Sequence, residues 1–321
     1  MSCMKKLKVA LVASCLLSSS HVWALNDTLP AYHKVAGISG SLSSMGSDTL
    51  SGLMTMWAEE FNRYYPNIMI EIQSAGSSTA PTALTEATTQ FGPMSRPMHL
   101  REIDAFEREF GYKPTAIRVA IDALAVFVHQ DNPLQGLNFQ QLDAIFSRTL
   151  HCGASQQITQ WADLGLDGIW RNRDIQLFGR NSVSGTYGYF KQKALCRGDF
   201  VARFNEQPGS ASVVQSISTS LNSIGFSGIG YTTSAVRPLA IAELGDDYIE
   251  ASMENIASGE YPLSRFLYVY INKHPSQPLG PLENEFVRFI LSEQGQQLVA
   301  REGYVPLPSN VAVQERERLG L

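Results

Sequence analysis

The sequence predicts an α/β fold of two lobes, each a doubly wound sheet flanked by helices, and three observations support it. Strand-like and helix-like patterns alternate along residues 42–301, which is typical of sheets covered by helices. The chain has 321 residues, more than one hydrophobic core comfortably serves. Two apolar runs, at residues 117–129 and 265–271, fit strands that cross from one lobe to the other and back.

Residues 1–24 have the pattern of an export signal, which we exclude from the fold. Three lysines precede a short apolar core at 9–17, and a small-x-small cleavage site ends at Ala24. A lipoprotein signal is an alternative, because residues 12–15 resemble a lipobox that would anchor the chain at Cys15. In either case we expect the mature protein to work outside the cytoplasm, in the periplasm.

Composition indicates a globular, acidic protein. Hydrophobic residues make up 44% of the chain and charged residues 17%, and no other apolar stretch is long enough to cross a membrane. The formal charge of −5 becomes −8 once the three signal lysines are removed. An acidic surface argues against nucleic acid or anionic lipid as partners, so any anion must be held by a local site.

The predicted first lobe comprises residues 25–120 and 267–321. It opens with strands at 42–46 and 68–72, each followed by a helix, and a third helix follows the turn at 92–97. The aromatic residues at helical spacing are predicted to be core: Trp57, Phe61, Phe106 and, in the second lobe, Phe146. A helical stretch at 281–301 is expected to pack back on this lobe, and residues 314–318 are expected to fray.

The predicted second lobe comprises residues 121–266. It contains a helix around Leu142, a strand at 175–178, a helix at 213–221 and a glycine-rich strand at 225–231 that permits close backbone approach. No internal repeat or low-complexity segment interrupts either lobe.

The strongest motif is the stretch at 179–190, a Gly/Ser/Thr turn between a strand and a helix. The first N–H groups of a helix lack internal partners and carry partial positive charge, so this turn predicts an anion seat. Arg180 would add a planar cation suited to a tetrahedral oxyanion. The alternatives are simple capping of the helix by Ser182 or Ser184, and a surface ion pair for Arg180.

Three further helices also begin with Gly, Ser and Thr, after residues 46, 76 and 92. Four unrelated caps are an alternative, but a cap needs one hydroxyl and three of the four turns carry two or more. Strand-to-helix turns of a doubly wound sheet lie along one edge, so four of them would surround one small anion.

Cysteine usage predicts one disulfide in the mature chain. Cys3 and Cys15 lie in the signal, which leaves Cys152 and Cys196 in an oxidising compartment. A metal site at Cys152 and His151 is the weaker alternative, because the histidines show no i, i+3 or i, i+4 spacing.

The ordered motifs resemble those of periplasmic phosphate-binding proteins, the substrate-binding subunits of phosphate ABC transporters. They are Gly46-Ser47-Asp48-Thr49, Ala75-Gly76-Ser77-Ser78, Ser95-Arg96-Pro97, Arg180-Asn181-Ser182-Val183-Ser184-Gly185-Thr186 and Gly225-Phe226-Ser227-Gly228-Ile229-Gly230-Tyr231. The resemblance covers residues 36–306. It implies a type II periplasmic-binding-protein fold that closes on inorganic phosphate, an ABC permease as partner, a monomer, and no cofactor or metal.

The resemblance also implies a set of phosphate-binding residues: Ser47, Asp48, Thr49, Ser77, Arg180, Ser184, Gly185 and Thr186. We add the hydroxyls of the same turns, Ser78, Ser95 and Ser182, to the predicted site. The chain departs from the best-studied branch of the family, which has aspartate at the position of Ser95 and threonine at that of Asp48.

That departure leaves the role of Asp48 open. Its carboxylate would accept the proton that phosphate carries and sulfate lacks, or it only caps its own helix. Ser95 would donate to the anion or cap a helix, and Arg96 is interpreted as pairing with a carboxylate such as Asp48 or Asp122.

Three other functions remain as alternatives. Another tetrahedral oxyanion, sulfate or molybdate, would suit a similar site, and the same trap would serve phosphate scavenging or sensing without transport. A phosphoester hydrolase is less favoured, because the sequence contains neither a Gly-x-Ser-x-Gly elbow nor a phosphate-loop lysine motif. We therefore expect a binding protein and not an enzyme.

Overall fold

The computed structural model describes residues 29–321. The predicted export signal and the alternative lipid anchor at Cys15 lie outside the described residues. Within this range, no helix has both the length and the apolar character needed to cross a bilayer.

Strands and helices alternate as predicted. The strands are β1 (Ser41–Met45), β2 (Met69–Gln73), β3 (Phe91–Met94), β4 (Thr115–His129), β5 (Gly136–Asn138), β6 (Gln176–Arg180), β7 (Phe204–Gln207), β8 (Ser223–Gly228), β9 (Val236–Pro238), β10 (Ala240–Ala242) and β11 (Ser264–Ile271). The helices are α1 (Ser51–Tyr64), α2 (Ala80–Thr85), α3 (Leu100–Phe110), α4 (Phe139–Phe146), α5 (Gly185–Lys193), α6 (Ser210–Ser218), α7 (Met253–Ser258), α8 (Pro281–Ile290), α9 (Glu293–Arg301) and α10 (Ser309–Leu319).

The main sheet has two parallel wings joined by β4 and β11. Its strand order is β2-β1-β3-β11-β4-β8-β6-β7, with β9 also paired to β4. We call β2, β1 and β3, with the turns and helices next to them, the first wing, and β8, β6 and β7, with the turns and helices next to them, the second wing. Strand pairing within each wing is parallel. The first part of β4 pairs with β11 and its last part with β8 and β9, so the predicted crossing strands are confirmed. The exact boundaries of the lobes stay a prediction.

The cores form where the apolar patterns predicted them. Strand β4 is buried almost throughout because both of its faces are covered, which matches its continuous apolar sequence. Trp57, Phe61, Phe106 and Phe146 are fully buried, as predicted. The Trp57 indole N–H donates to the Gly295 carbonyl at 2.9 Å. The return of residues 281–301 onto α1 is therefore confirmed.

The carboxyl-terminal segment is not frayed, and that prediction is wrong. Residues 309–319 form α10, and Glu315 is buried against the crossing strand, where it binds Arg118 of β4 and Arg318 of its own helix. A buried carboxylate is tolerated when it is paired, so the charged composition of this segment marks an ion-paired helix.

The predicted disulfide joins Cys152 and Cys196, whose Cα atoms are 5.3 Å apart. It links the loop after α4 to the end of α5, the helix that follows the 179–190 motif. The bridge occupies the thiol of Cys152 and removes it from the alternative metal site with His151. Across residues 29–321, no group of three potential His, Cys, Asp or Glu ligands forms a metal site.

Removing the bridge is expected to lower the free energy of unfolding by about 2–4 kcal/mol, because it closes a loop across a separation of 44 residues. The double variant Cys152→Ser/Cys196→Ser and the reduced wild-type protein should show the same loss in urea denaturation. Equal unfolding midpoints for oxidised wild type and double variant would contradict this.

Candidate functional site

The predicted anion-binding turns lie at the carboxyl ends of parallel strands and meet at one edge of the sheet. The turns after β1, β2 and β3 come from the first wing, and the turn after β6 comes from the second. Eight predicted residues are buried at this junction: Ser47, Thr49, Ser77, Ser95, Arg180, Ser184, Gly185 and Thr186. The structure therefore brings together most of the set inferred from the sequence.

Two serines of the first wing lie against the N-terminus of α5. The hydroxyls of Ser77 and Ser95 are 3.2 Å apart, and the Ser95 N–H donates to the Ser77 hydroxyl at 3.0 Å. A Cβ added to Gly185 would lie 2.5 Å from the Ser77 Oγ and 2.6 Å from the Ser95 Oγ. Only a residue without a side chain permits this approach of the two wings.

Two threonines make a second contact between the wings. The Thr49 and Thr186 hydroxyls are 3.0 Å apart. Ser184 is the N-cap of α5, since its hydroxyl accepts the Thr186 N–H at 3.1 Å. The capping alternative is thus correct for Ser184, whereas Ser182 is exposed on the outer side of the turn.

Arg180 is buried, so the alternative of a surface ion pair is wrong. Its Nη1 donates to Asp48 Oδ2 and to the Ser210 hydroxyl, each at 2.9 Å, and its Nη2 donates to the Pro208 carbonyl at 3.0 Å. Its Nε is buried and has no hydrogen-bond partner among the described residues. Burial lowers the pKa of Arg180, and the Asp48 carboxylate counteracts that shift.

Asp48 caps a helix other than its own. Its Oδ2 accepts the Ser210 backbone N–H at 2.8 Å, at the start of α6, where the N-cap residue is the side-chain-free Gly209. Asp48 thus binds Arg180 and stabilises the N-terminus of α6, both in the second wing. The carboxylate lies between the two wings, which the sequence pattern did not indicate.

Arg96 pairs with a carboxylate as predicted, but the partner is Glu102, a neighbour in sequence, and the suggested partners Asp48 and Asp122 are wrong. Both Nη atoms lie 2.8 Å from the carboxylate of Glu102 in the first turn of α3, and Nη2 also donates to the Ser78 hydroxyl at 3.3 Å. Burial raises the pKa of Glu102, but the Arg96 hydrogen bonds and the His99 N–H outweigh it and hold that pKa low. Ser78, which Arg96 contacts, is half-buried and thus lies at the rim of the junction between the wings.

Sequence reasoning missed a second buried ion pair, between Asp122 of β4 and Arg265 of β11. Arg265 donates to Asp122 Oδ2 from Nε at 3.0 Å and from Nη2 at 2.7 Å, and Nη2 also lies 2.9 Å from the Thr186 hydroxyl. Burial raises the pKa of Asp122, and Arg265 opposes that shift. The available signal was an acidic residue, Asp122, inside one apolar crossing strand and a basic residue, Arg265, at the start of the other.

A model described as the PBP superfamily domain matches residues 33–294. The chain is also 58% identical over 321 residues to the phosphate-binding protein PstS of Pseudomonas aeruginosa, covering 99% of both sequences. The chain belongs to the PstS family. Protein SphX of Synechococcus elongatus is 27% identical to this PstS-family chain over 282 residues, covering 85% of it and 79% of SphX.

Solved structures agree with the two-lobed periplasmic-binding-protein fold. A phosphate ABC transporter substrate-binding protein of Clostridium perfringens, solved with bound phosphate, superposes with a TM-score of 0.71. It is 25% identical, and the match covers 84% of the PstS-family chain and 100% of that chain. An ABC-type phosphate transport receptor of Vibrio cholerae has a TM-score of 0.64 at 23% identity, with coverage of 83% and 100%. The predicted fold class is therefore confirmed.

The turns of the two wings also meet through the backbone in this PstS-family structure. The Ser78 N–H donates to the Val183 carbonyl at 3.1 Å. Gly76 packs on Val183 with φ 112°, a conformation that favours glycine. The wings are therefore in direct contact over the site, as expected of a closed form.

Two tyrosines, Tyr231 of the glycine-rich motif and Tyr304, hold the first turn in place. The Tyr231 hydroxyl donates to the Asp48 carbonyl at 2.9 Å, and the Tyr304 hydroxyl donates to the Thr49 carbonyl at 2.6 Å. Burial raises the pKa of both phenols, so they remain protonated donors at neutral pH. These bonds fix the carbonyls of the turn that presents Asp48 and Thr49.

Proposed function

We propose that this protein captures inorganic phosphate between its two lobes outside the cytoplasm and delivers it to an ABC transporter. The observation that carries the proposal is the convergence of buried hydroxyls from both wings on the N-terminus of α5, together with the buried Nε of Arg180, which has no hydrogen-bond partner within residues 29–321. This inventory of donors suits a small tetrahedral oxyanion.

Each group has a distinct part in the proposed capture. The hydroxyls of Thr49, Ser77 and Ser95 replace water around the anion, and the first N–H groups of α5 add their dipole. Arg180 supplies a cation, whose charge Asp48 balances at 2.9 Å. The remaining members of the predicted set line the same turns: Ser47, Ser78, Ser182, Ser184, Gly185 and Thr186.

Capture requires the wings to separate and close. We propose that the moving bodies are the predicted lobes, residues 25–120 with 267–321 and residues 121–266, with β4 and β11 as the connections. Ligand binding would favour the closed form, in which the wings make contacts such as the one between Thr49 and Thr186.

The proposed location and partner follow from the family. The P. aeruginosa relative is named as a phosphate-binding protein and the C. perfringens structure as an ABC transporter substrate-binding protein. Together with the export-signal pattern, these names support a periplasmic protein that docks on a permease. We propose binding without turnover, since the similar proteins are named for binding and transport.

Calorimetric titration of the mature protein with phosphate, sulfate, arsenate and molybdate tests the proposal. We expect tight binding of phosphate and arsenate, which share shape and protonation, and far weaker binding of sulfate and molybdate. Preference for sulfate or molybdate would support the alternative oxyanion. Turnover of a chromogenic phosphoester would contradict a pure binding protein. Normal phosphate uptake by cells that lack the gene would contradict the transport role and support the alternative of scavenging or sensing.

Asp48→Asn is expected to reduce the preference for phosphate over sulfate by about tenfold or more, because it removes the charged acceptor for the phosphate proton. Competition titrations at pH 7 measure the ratio of the two dissociation constants. Asp104→Asn, an exposed change on α3, serves as control. An unchanged ratio in Asp48→Asn would remove Asp48 from this role.

A further inference from the structure

The ion pair on the crossing strands lies next to the proposed phosphate site. Arg265 of β11 and Asp122 of β4 are directly opposite each other in the antiparallel register. The Asp122 side chain is fully buried and that of Arg265 is 3% exposed. Such a pair is costly to bury, so its position in the middle of the protein calls for a reason beyond packing.

Asp122 accounts for only one edge of the Arg265 guanidinium. Nε and Nη2 form that edge, and both donate to Asp122 Oδ2. Nη2 and Nη1 form the other edge. On that edge Nη2 donates its second hydrogen to the Thr186 hydroxyl at 2.9 Å. In the described part of the chain Nη1 is buried and has no hydrogen-bond partner. An unsatisfied buried donor is unfavourable, and most such groups in proteins are paired.

This second edge faces the N-terminus of α5. Thr186 lies in the first turn of that helix, and its hydroxyl also contacts Thr49 of the first wing. The ring of Tyr189 lies 5.2 Å from the guanidinium carbon and restricts its movement. The Nη1–Nη2 edge thus faces the junction where the hydroxyls converge; Nη2 is occupied by Thr186, and Nη1 is the donor left for an oxygen of an oxyanion.

We propose that Arg265 is a second ligand-binding arginine, which donates to phosphate through Nη1, and that Asp122 is the residue that positions it. This inference rests on the proposed function. Because Asp122 balances Arg265 and Asp48 balances Arg180, the two guanidinium groups offer directed donors without leaving a net positive charge in the site. The anion is then recognised mainly by hydrogen-bond geometry.

The test compares two double variants that each neutralise an ion pair of β4. Asp122→Asn/Arg265→Gln removes the proposed pair as a unit and leaves no unpaired charge in its place. Arg118→Gln/Glu315→Gln changes a partly buried pair between β4 and α10 and leaves only Arg318, whose half-exposed side chain water solvates. Calorimetry with inorganic phosphate should show a dissociation constant raised at least about tenfold for the first variant and within about twofold of wild type for the control. Melting of the phosphate-free proteins reports their folding.

A folded Asp122→Asn/Arg265→Gln variant that binds phosphate as tightly as wild type would overturn the role of Arg265 and leave the proposed function intact. Failure of wild type itself to bind phosphate would overturn both. A crystal structure of the wild type with phosphate decides the matter independently of how the variant folds. Nη1 within about 3.2 Å of a phosphate oxygen supports the inference, and a separation above about 4 Å contradicts it.

Discussion

Gly185→Val is expected to lower phosphate affinity by at least about 100-fold while leaving the two lobes folded. Even a Cβ at this position would lie 2.5 Å from the Ser77 Oγ and 2.6 Å from the Ser95 Oγ. These serines are buried, and the Ser77 hydroxyl accepts the Ser95 N–H, so they have little freedom to move away. We expect the lobes to relieve the clash by staying apart, which separates the donors of the first wing from those of the second.

Calorimetry measures the affinity, and small-angle X-ray scattering measures the shape. Wild type should become more compact on adding phosphate, whereas Gly185→Val should keep the radius of its phosphate-free form. Gly188→Ala is the matched control on the same helix, because its Cβ would meet only the Arg96 Cδ at an ordinary 3.9 Å. Compaction and wild-type affinity in Gly185→Val would show that the site does not lie between these turns.

The sequence was sufficient for features that an apolar pattern, a topological rule or a residue count determines. The run of apolar residues that forms β4 has the length of a crossing strand and is buried as that pattern requires. The convergence of Ser77, Ser95 and Thr186 followed from a topological rule, since the carboxyl ends of parallel strands share one edge. The pairing of Cys152 with Cys196 followed from the count that remains after the signal.

The errors arose where a partner is distant in sequence or where a nearer partner wins. Arg265 and Asp122 are 143 residues apart, and only the register of β4 with β11 places them opposite each other. Arg96 was assigned to distant carboxylates, yet Glu102, six residues away, lies closer because α3 begins between them. Glu315 was assigned to a frayed end because composition does not reveal Arg118 beside it.

Residues of the same type within one motif also differ in burial, and therefore in role. Ser182 and Ser184 belong to one turn and carry the same hydroxyl, but Ser184 caps α5 and is buried while Ser182 is exposed. The backbone of the turn decides this difference, and no pattern of residue types records it. The same holds for Asp48, which stabilises α6 across the junction and not the helix that it begins.

Arg180→Gln is expected to lower phosphate affinity by about 100-fold or more and the free energy of unfolding by about 1–3 kcal/mol. The affinity falls because the variant loses the Nε donor and a charge-assisted contact in a site shielded from water. The stability falls because Asp48 loses its cation and Ser210 a charged donor. The Asp48 side chain is 21% exposed, and water solvates it in part, so the loss stays below that of a fully buried pair.

Arg203→Gln is the control for this change, because Arg203 is also held in the second wing, by the carbonyls of Ile145 and Ile158, away from the junction. Arg203→Gln should lower stability and leave the dissociation constant for phosphate unchanged. Arg180→Lys should bind phosphate more tightly than Arg180→Gln but less tightly than wild type. Its ammonium keeps the charge, but it lacks the planar guanidinium that can donate to Asp48 and to the ligand at the same time. If Arg180→Gln lowers phosphate affinity no more than Arg203→Gln does, Arg180 has only a structural role. Arg265 would then be the principal cation of the site.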